Sequence, residues 1–291
     1  MSAASSPRPP INLGLLGYPL RHSLSPAIHA AALRAGGLEG SYSLFLIQPN
    51  DGQALNALLG RVRSGELRGL NVTIPHKQNV IPCLDSLTPA AQAIGAVNTI
   101  FEQQGQLMGD NTDAPGFLTD LQRFAGPILF TTNRPRQALV LGAGGSARAV
   151  VYTMINAGWT ISVFARREAQ ARQLANAFEQ DKISVINSAD LEHQSFELLV
   201  NTTPVGMTPD IDATPWRHTF PSGAAVYDLI YNPRETRLVR EAWAAGLPAT
   251  TGLGMLVEQA VLAFEIWTGW RPPRETLYEA AAVAYRSITT T

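Results

Sequence analysis

The first third of the chain alternates short apolar runs with stretches of helical periodicity. Ser25 and Pro26 predict the start of the first helix, because a serine can cap a helix and proline is accepted in its first turn. In chain order, the pattern predicts a strand over 11–17, a helix from 25 that ends at Gly36, a strand over 41–47, a helix over 52–62, a strand over 70–74 and a hairpin of 96–101 with 106–109. This succession is βαβ in character.

Beyond about residue 113 the runs become more uniformly apolar. The predicted elements are a helix over 113–123, a surface loop over 125–137, strands over 137–141, 160–164, 183–186, 198–201 and 224–229, and helices over 146–157 and 168–178. Strands buried on both faces, alternating with helices, predict a doubly wound parallel sheet. Two further helices are expected after Gly252-Leu-Gly254.

Composition excludes several classes of protein. A length of 291 residues with 45% hydrophobic content suggests two α/β domains. A net charge of -1 leaves no general attraction to nucleic acid or to an anionic membrane, and the apolar stretch over 255–267 is too short for a membrane span. The single cysteine, Cys83, cannot form an internal disulfide, and residues 1–10 have the composition of a flexible tail rather than a secretory signal. We therefore expect a cytoplasmic protein without a metal site.

Lysine is scarce in this chain. Of the 22 basic residues only Lys77 and Lys182 are lysines, so arginine supplies nearly all the positive charge. Arginine keeps its proton in proteins, whereas a desolvated lysine can release one. Lys77 is therefore a candidate for proton transfer, with chance as the alternative explanation.

A glycine pattern follows the strand predicted over 137–141. The segment Leu139-Val-Leu-Gly142-Ala143-Gly144-Gly145-Ser146-Ala147-Arg148 leads directly into a helix, as dinucleotide-binding sites require. Gly142 would permit the tight turn, Gly144 the close approach of a pyrophosphate, and Ala147 close packing of helix and strand. The alternative is an ordinary glycine-rich turn.

The end of the next strand distinguishes between nucleotides. NAD sites usually place an acid there to hold the ribose 2′-hydroxyl, but here the chain reads Val163-Phe-Ala165-Arg166-Arg167. Two guanidiniums suit a 2′-phosphate, so NADP is predicted as the cofactor. Alternatively, Arg166 and Arg167 only begin the exposed face of the next helix.

Six motifs in the same order make the chain resemble the shikimate dehydrogenase family over nearly its full length. They are Gly17-Tyr-Pro-Leu-Arg-His-Ser23-Leu-Ser25-Pro26-Ala-Ile-His29, Asn71-Val-Thr73-Ile-Pro-His-Lys77, Gly95-Ala-Val-Asn98-Thr, Gly109-Asp-Asn-Thr-Asp113-Ala-Pro-Gly-Phe, Asn201-Thr-Thr-Pro-Val-Gly-Met207 and Gly254-Met-Leu-Val-Glu-Gln259-Ala. The resemblance implies a two-lobe α/β fold. It comprises a substrate-binding domain over 1–113, a Rossmann-type NADP-binding domain over 114–250 and C-terminal helices over 251–291 that complete the substrate domain.

The resemblance also implies the reaction, the reversible NADPH-dependent reduction of 3-dehydroshikimate to shikimate in aromatic amino-acid biosynthesis. Ser23 and Ser25 would hold the substrate carboxylate, with Tyr231 nearby. Two serines one residue apart on an extended loop could both donate to it; a turn and a helix cap are the alternative roles. Thr73, Asn98, Asp113 and Gln259 would bind the ring hydroxyls.

The resemblance makes Lys77 the acid/base group, paired with Asp113, although Asp113 could also cap a helix. An alkoxide that forms on hydride addition needs a proton, which a lysine can supply. Further cofactor contacts are expected after strands of the nucleotide domain, at Thr202, Leu229, Gly252 and Met255, with Met207 as another candidate wall of the nicotinamide pocket.

Two positions depart from the family pattern: His29 is followed by Ala30 rather than Asn, and Ala165-Arg166-Arg167 replaces Asn-Arg-Thr. The second departure leaves open a quinate/shikimate dehydrogenase with relaxed use of NAD and NADP. A non-catalytic sensor of nucleotide or metabolite is a further alternative, but it would be expected to lose Lys77 and Asp113. The predicted assembly is a monomer or homodimer.

Overall fold

The computed structural model describes residues 9–21, 23–129 and 136–288. Most of the predicted N-terminal tail, His22 of the first motif and residues 130–135 of the predicted loop lie outside these ranges. The chain divides into two compact units. The first comprises Met1–Thr88, Val97–Asp110 and Ala260–Thr291, and the second comprises Pro89–Ala96 and Asn111–Gln259. This division differs from the predicted domain ranges in three places: Pro89–Ala96 joins the second unit, that unit resumes at Asn111 rather than at 114, and the C-terminal boundary falls after Gln259.

A six-stranded mixed sheet organises the first unit. Its strands are β1 (Ile11–Gly17), β2 (Gly40–Leu46), β3 (Gly69–Val72), β4 (Ser86–Leu87), β5 (Thr99–Gln103) and β6 (Gln106–Asp110). They lie in the order β2-β1-β3-β5-β6-β4. The first three are mutually parallel, and the β5–β6 hairpin pairs antiparallel to β3. The carboxyl ends of β1 and β3 are therefore neighbours.

Four of the described helices lie wholly in the first unit: α1 (Ser25–Ala35), α2 (Gly52–Arg63), α3 (His76–Asn79) and α10 (Arg274–Ile288). The end of α9 (Leu253–Thr268) also belongs to it. The predicted cap at Ser25 is wrong by one residue. Leu24 occupies the N-cap without a side-chain hydrogen bond, and Ser25 is already helical.

The second unit contains a fully parallel sheet. Its strands are β7 (Arg136–Leu141), β8 (Trp159–Phe164), β9 (Ile183–Val185), β10 (Leu198–Asn201), β11 (Ala225–Asp228) and β12 (Ala249–Thr251), in the order β12-β11-β10-β7-β8-β9. The helices are α4 (Pro89–Ile94), α5 (Asp113–Leu129), α6 (Gly145–Asn156), α7 (Glu168–Ala175), α8 (Arg237–Ala244) and the start of α9. The order reverses direction at β7, as in a doubly wound sheet.

Alternate residues of the central strands enter two different cores. Ala138 and Val140 of β7 pack on the face that α5, α6 and α7 cover, whereas Leu139 and Leu141 pack on the opposite face with α8. Since side chains alternate along a strand, this explains why the strand is a continuous apolar run in the sequence.

Helix α5 is longer than predicted. It continues to Leu129, through the first five residues of the segment predicted as a loop. Leu121, Ala125 and Leu129 recur every four residues and are buried in the core of the second unit, so helical burial outweighs the helix-breaking tendency of Gly126 and Pro127. Within the described ranges, no helix combines the length and the apolar character needed to cross a membrane.

His29 is an ionisable group in the core of the first unit. Its ring stacks on Tyr42 with centroids 4.3 Å apart, and Trp267 packs nearby. Neither ring nitrogen has a hydrogen-bond partner of good geometry within the described chain. Burial lowers the pKa of His29 from 6.5 to about 3, and the nearby Asn71 side chain opposes this shift only in part.

We expect His29→Phe to reduce the loss of stability that accompanies a fall in pH. In the unsubstituted protein, the unfolded state binds a proton at His29 below pH 6.5, whereas the folded state does not. The free energy of unfolding therefore falls as the pH drops from 6.5 towards 3, by at most about 5 kcal/mol from this group. Urea unfolding at pH 4.5 and 7.5 measures the difference. The matched control is His193→Gln, since His193 is exposed; equal slopes in the two variants would contradict the expectation.

Candidate active site

The turn between β7 and α6 requires glycine at its first position. Gly142 has φ +111°, a conformation that residues with a side chain rarely adopt, and a Cβ there would collide with Oγ1 of Thr202. The Gly142 amide donates to the carbonyl of Phe164 at 2.8 Å, which ties the turn to the end of β8. Gly142 thus forms the tight turn that the motif predicts.

Gly144 occupies the N-cap of α6 and leaves open space. A Cβ at Gly144 would have no neighbour within 4 Å, and its φ of -85° is accessible to any residue. Ala147, one turn into α6, is fully buried against the sheet. The first amides of a helix have no partners within the helix and attract anions. A tight turn, an open N-cap and a close-packed alanine fit the binding of a pyrophosphate.

The other predicted cofactor residues of this unit lie at the same edge of the sheet. Parallel strands end together, so the segments after β7, β10, β11 and β12 carry Gly142, Thr202, Leu229 and Gly252 at one edge. The hydroxyl of Thr202 donates to the Leu141 carbonyl at 2.7 Å. Gly252 lies against the backbone of Leu229, too closely for a Cβ. Met255 follows in the first turn of α9 and is buried in the core beside α6.

Arg166 and Arg167 follow β8 at this edge, and both are exposed. Glu168 pairs with Arg172 one turn along α7 rather than with either of them. Among the described residues, no hydrogen bond or ion pair engages the guanidinium of Arg166 or Arg167. Both groups are available to an anionic ligand.

A buried carboxylate, absent from the sequence predictions, organises the segments after β10 and β11. Asp228 accepts hydrogen bonds from Asn201 Nδ2 at 2.9 Å, the Ile230 amide at 3.0 Å and Thr236 Oγ1 at 2.7 Å. Burial raises the pKa of Asp228 to about 6 despite these donors. Between about pH 4 and 6 the folded state therefore holds a proton that the unfolded state releases, so this group lowers the free energy of unfolding as the pH rises.

In the first unit, main-chain hydrogen bonds gather three of the predicted residues. The Thr73 amide donates to Leu16 at the end of β1 at 2.9 Å, and the Asn98 carbonyl accepts from the Val72 amide at 2.8 Å. The carbonyl of Lys77, in α3, accepts from the Val97 amide at 2.7 Å. Lys77 and Asn98 are buried, at 9% and 2% exposure, whereas Thr73 is half-buried.

Ser23 and Ser25 also lie in the first unit, but not as predicted on one extended loop. Oγ of Ser23 accepts a hydrogen bond from the Ser25 amide at 3.3 Å, and Ser25 begins α1. The two serines are brought together by this turn rather than by alternation along an extended backbone.

Asp113, Tyr231 and Gln259 belong to the second unit. Asp113 is buried and begins α5, but the capping role falls to Asn111, whose Oδ1 accepts from the Ala114 amide at 3.1 Å. Tyr231 is half-buried, and Nε2 of Gln259 donates to the Leu256 carbonyl at 2.7 Å. The pairing of Lys77 with Asp113 stays a prediction. In the described ranges, no group of three His, Cys, Asp or Glu is placed to hold a metal ion.

Asn111 and Asp228 are not among the residues predicted from the sequence. Asn111 lies inside a motif that was singled out for Asp113, and its side chain could have been read as the cap because it precedes the helix by two residues. Asp228 gave one usable signal, an acid that ends an otherwise apolar run.

A glycine turn between a parallel strand and a helix, with free guanidiniums beyond the next strand, defines the second unit as a dinucleotide-binding domain. Three sequence profiles match the chain: "Shikimate dehydrogenase substrate binding domain" at 15–100, "Shikimate / quinate 5-dehydrogenase" at 128–203 and "Shikimate 5'-dehydrogenase C-terminal domain" at 252–282. The chain belongs to the shikimate dehydrogenase family. The predicted family and the predicted two-domain α/β fold are confirmed.

Individual relatives resemble the chain over almost its whole length. A shikimate dehydrogenase (NADP(+)) of Salinibacter ruber is 43% identical, over 91% of this chain and 95% of its own. The shikimate 5-dehydrogenase of Thermus thermophilus, solved in complex with NADP(H) and shikimate, is 42% identical with a TM-score of 0.81, over 94% of this chain and 99% of its own. That of Listeria monocytogenes, solved with shikimate and NAD, is 31% identical with a TM-score of 0.80, over 93% and 96%.

Substituting the two glycines separately should distinguish a cofactor turn from an ordinary one. We expect Gly142→Ala to destabilise the cofactor-free protein by about 1–3 kcal/mol, because of its positive φ and the collision with Thr202. Gly144→Ala should leave that stability unchanged, since its Cβ meets only open space, but should weaken NADPH binding where the phosphate approaches. Thermal unfolding and NADPH fluorescence titration measure the two effects. Unchanged NADPH affinity in Gly144→Ala would favour the ordinary turn.

Proposed function

We propose that this chain catalyses the reversible NADPH-dependent reduction of 3-dehydroshikimate to shikimate, a step of aromatic amino-acid biosynthesis. The observation that carries the proposal is the match along 94% of the chain to a structure described as a complex with NADP(H) and shikimate. The glycine turn and the two free arginines of the second unit support the choice of cofactor independently.

In this proposal the second unit holds the cofactor. The turn Gly142–Ala147 receives the pyrophosphate, and Arg166 and Arg167 bind the 2′-phosphate as charge-assisted hydrogen-bond donors. Thr202, Leu229, Gly252 and Met255 border the nicotinamide side, with Met207 as an exposed apolar neighbour. When bound, NADPH supplies the hydride for the ketone carbon.

The substrate residues are short polar side chains, as recognition of a polyol carboxylate requires. Ser23 and Ser25 bind the carboxylate, with Tyr231 near it, and Thr73, Asn98, Asp113 and Gln259 bind the ring hydroxyls. Main-chain hydrogen bonds hold Thr73 and Asn98, so the backbone from which each side chain extends is fixed in place. Such preorganisation favours the reacting geometry.

Lys77 handles the proton. Its ammonium donates to the substrate oxygen as negative charge develops there, and it accepts the proton back in the oxidation direction. Asp113 orients the ammonium. Burial of both residues keeps bulk water from competing for this proton.

A second candidate is a dehydrogenase that also uses NAD or accepts quinate. Ala165 supports it, because this position lacks the polar side chain that the family usually places beside the 2′-phosphate. The Listeria monocytogenes relative solved with NAD and the shikimate/quinate profile point the same way.

We further propose that the protein works in the cytoplasm as a monomer or homodimer.

We expect Lys77→Met to lose turnover by about 10²–10⁴-fold, because a general acid typically contributes that much. The assay follows NADPH oxidation with 3-dehydroshikimate, and NADPH affinity should be unchanged. Lys182→Met is the control: it removes the other lysine, whose partner is Glu179 at 2.7 Å on the surface. Retained turnover in Lys77→Met would refute the role of Lys77. No turnover of the native protein with any tested pair, including NADH and quinate with oxidised cofactor, would favour the sensor.

The double change Arg166→Ala and Arg167→Ala should raise the KM for NADPH by about tenfold or more, since a charged hydrogen bond to phosphate contributes about 1.5–3 kcal/mol. The KM for NADH should stay constant because NADH lacks the 2′-phosphate. Arg172→Ala serves as control, since Arg172 is an exposed arginine on α7, just after the pair, and its partner is Glu168. If both KM values stay constant, the two arginines belong to the solvated helix face.

A further inference from the structure

Arg148 lies in the first turn of α6, directly after the glycine motif, and points to a different segment of the second unit. Its Nε donates to the carbonyl of Ile94, the last residue of α4, at 2.6 Å. The guanidinium also lies over the ring of Phe178, with Cζ 5.8 Å from the centroid. The side chain is half-buried, and burial lowers its pKa. A cation withdrawn from water is costly unless its contacts compensate.

The segment after Ile94 is shaped around this arginine. Gly95 has φ +66°, and a Cβ there would lie 2.5 Å from Nη2 of Arg148. Glycine adopts this backbone conformation without strain and leaves room for the guanidinium. One residue later, the Ala96 carbonyl accepts from Nδ2 of Asn111 at 2.9 Å. Ile94 and Ala96 also pack with Ala149 of α6. Helix α6 therefore holds the segment by polar and apolar contacts.

The chain re-enters the first unit immediately afterwards, at Val97. The Val97 amide donates to the Lys77 carbonyl at 2.7 Å, and the next carbonyl, that of Asn98, accepts from Val72. Only two residues, Gly95 and Ala96, lie between Ile94, whose carbonyl Arg148 binds, and Val97, whose amide donates to Lys77. The backbone between them cannot move freely at one end without displacing the other.

We infer that Arg148 is a positioning residue that fixes the connection 94–97 to the cofactor helix and thereby holds the main chain of Lys77 and Asn98 for the reaction. This inference rests on the proposed function for its effect on turnover, but not for its effect on the backbone. The hydrogen bond from Nε to the Ile94 carbonyl serves the backbone of this chain, which is the role inferred for Arg148.

The test compares Arg148→Met with Arg148→Lys, which keeps a cationic donor, and with Arg172→Met. Arg172 borders the same surface cavity as Arg148 but pairs with Glu168, so it is a matched control. We expect Arg148→Met to lower kcat about tenfold or more, since small misplacements of reacting groups are costly. NADPH affinity should stay within about twofold of native, and hydrogen exchange should accelerate at the Val97 amide. Arg148→Lys should retain part of the native kcat and part of the native protection of the Val97 amide. Arg172→Met should change neither quantity.

The exchange measurement needs no substrate, so it separates two failures. Unchanged exchange at Val97 in both Arg148 variants overturns the inference, whatever the activity. A large loss of NADPH affinity with native kcat overturns it as well and makes Arg148 a direct cofactor ligand. Faster exchange in a native protein that shows no dehydrogenase activity would refute the proposed function while supporting the structural connection. If Arg148→Met does not fold, the Lys variant supplies both measurements.

Discussion

The desolvated carboxylate of Asp228 is the constraint on which the cofactor edge of the second unit depends. A buried anion must find donors, and the three it finds come from the end of β10, the chain after β11 and the N-cap of α8. The same Asn201 whose amide serves Asp228 accepts from the amide and hydroxyl of Thr203. These bonds fix the segments that carry Thr202 and Leu229, and Leu229 in turn leaves room only for glycine at position 252. One carboxylate therefore sets several walls of the proposed nicotinamide site.

In the first unit, a different kind of contact fixes the proposed site residues in position. There the proposed substrate residues are held by their main chains: Thr73 by β1, Asn98 by β3 and Lys77 by Val97. In each case the support comes from main-chain groups. A layer of buried polar groups backs it, since the Tyr42 hydroxyl donates to Asn71 Oδ1 at 2.8 Å and Nδ2 of Asn71 donates to the Asn98 carbonyl at 3.3 Å. The Asn98 carbonyl thus accepts from two neighbouring residues of β3, and that support extends back to Tyr42, on which the His29 ring stacks.

The parts of the structure that local patterns control were predictable. The strand over Ile11–Gly17 and the strand over Leu198–Asn201 have the predicted bounds, because apolar runs flanked by turns identify buried strands. The tight turn at Gly142 followed from a motif. The remainder depends on pairings between distant residues. Asp228 meets Asn201 across 27 positions and Arg148 meets Ile94 across 54, and a single sequence carries no sign of either contact. Ser25 shows the intermediate case: the helix start was clear, but whether the serine caps it or enters it depends on Leu24 and the preceding turn.

The features proposed to select the cofactor can also be divided into those visible in the local sequence and those that depend on the structure. The absence of an acid after β8 removes the usual partner of a ribose 2′-hydroxyl and the repulsion of a 2′-phosphate, and the sequence alone shows that. Where the family usually has Asn and Thr beside one arginine, this chain has Ala165 and a second arginine. Neutral hydrogen-bonding side chains recognise a phosphate by geometry, whereas exposed guanidiniums also attract it over distance through a field that salt screens within about 10 Å. Among the described residues, no hydrogen bond or ion pair holds the guanidinium of Arg166 or Arg167, so under the proposed function the cofactor would order them. The proposed binding of the 2′-phosphate therefore depends more on charge, and less on preorganised neutral donors, than the usual family pattern does.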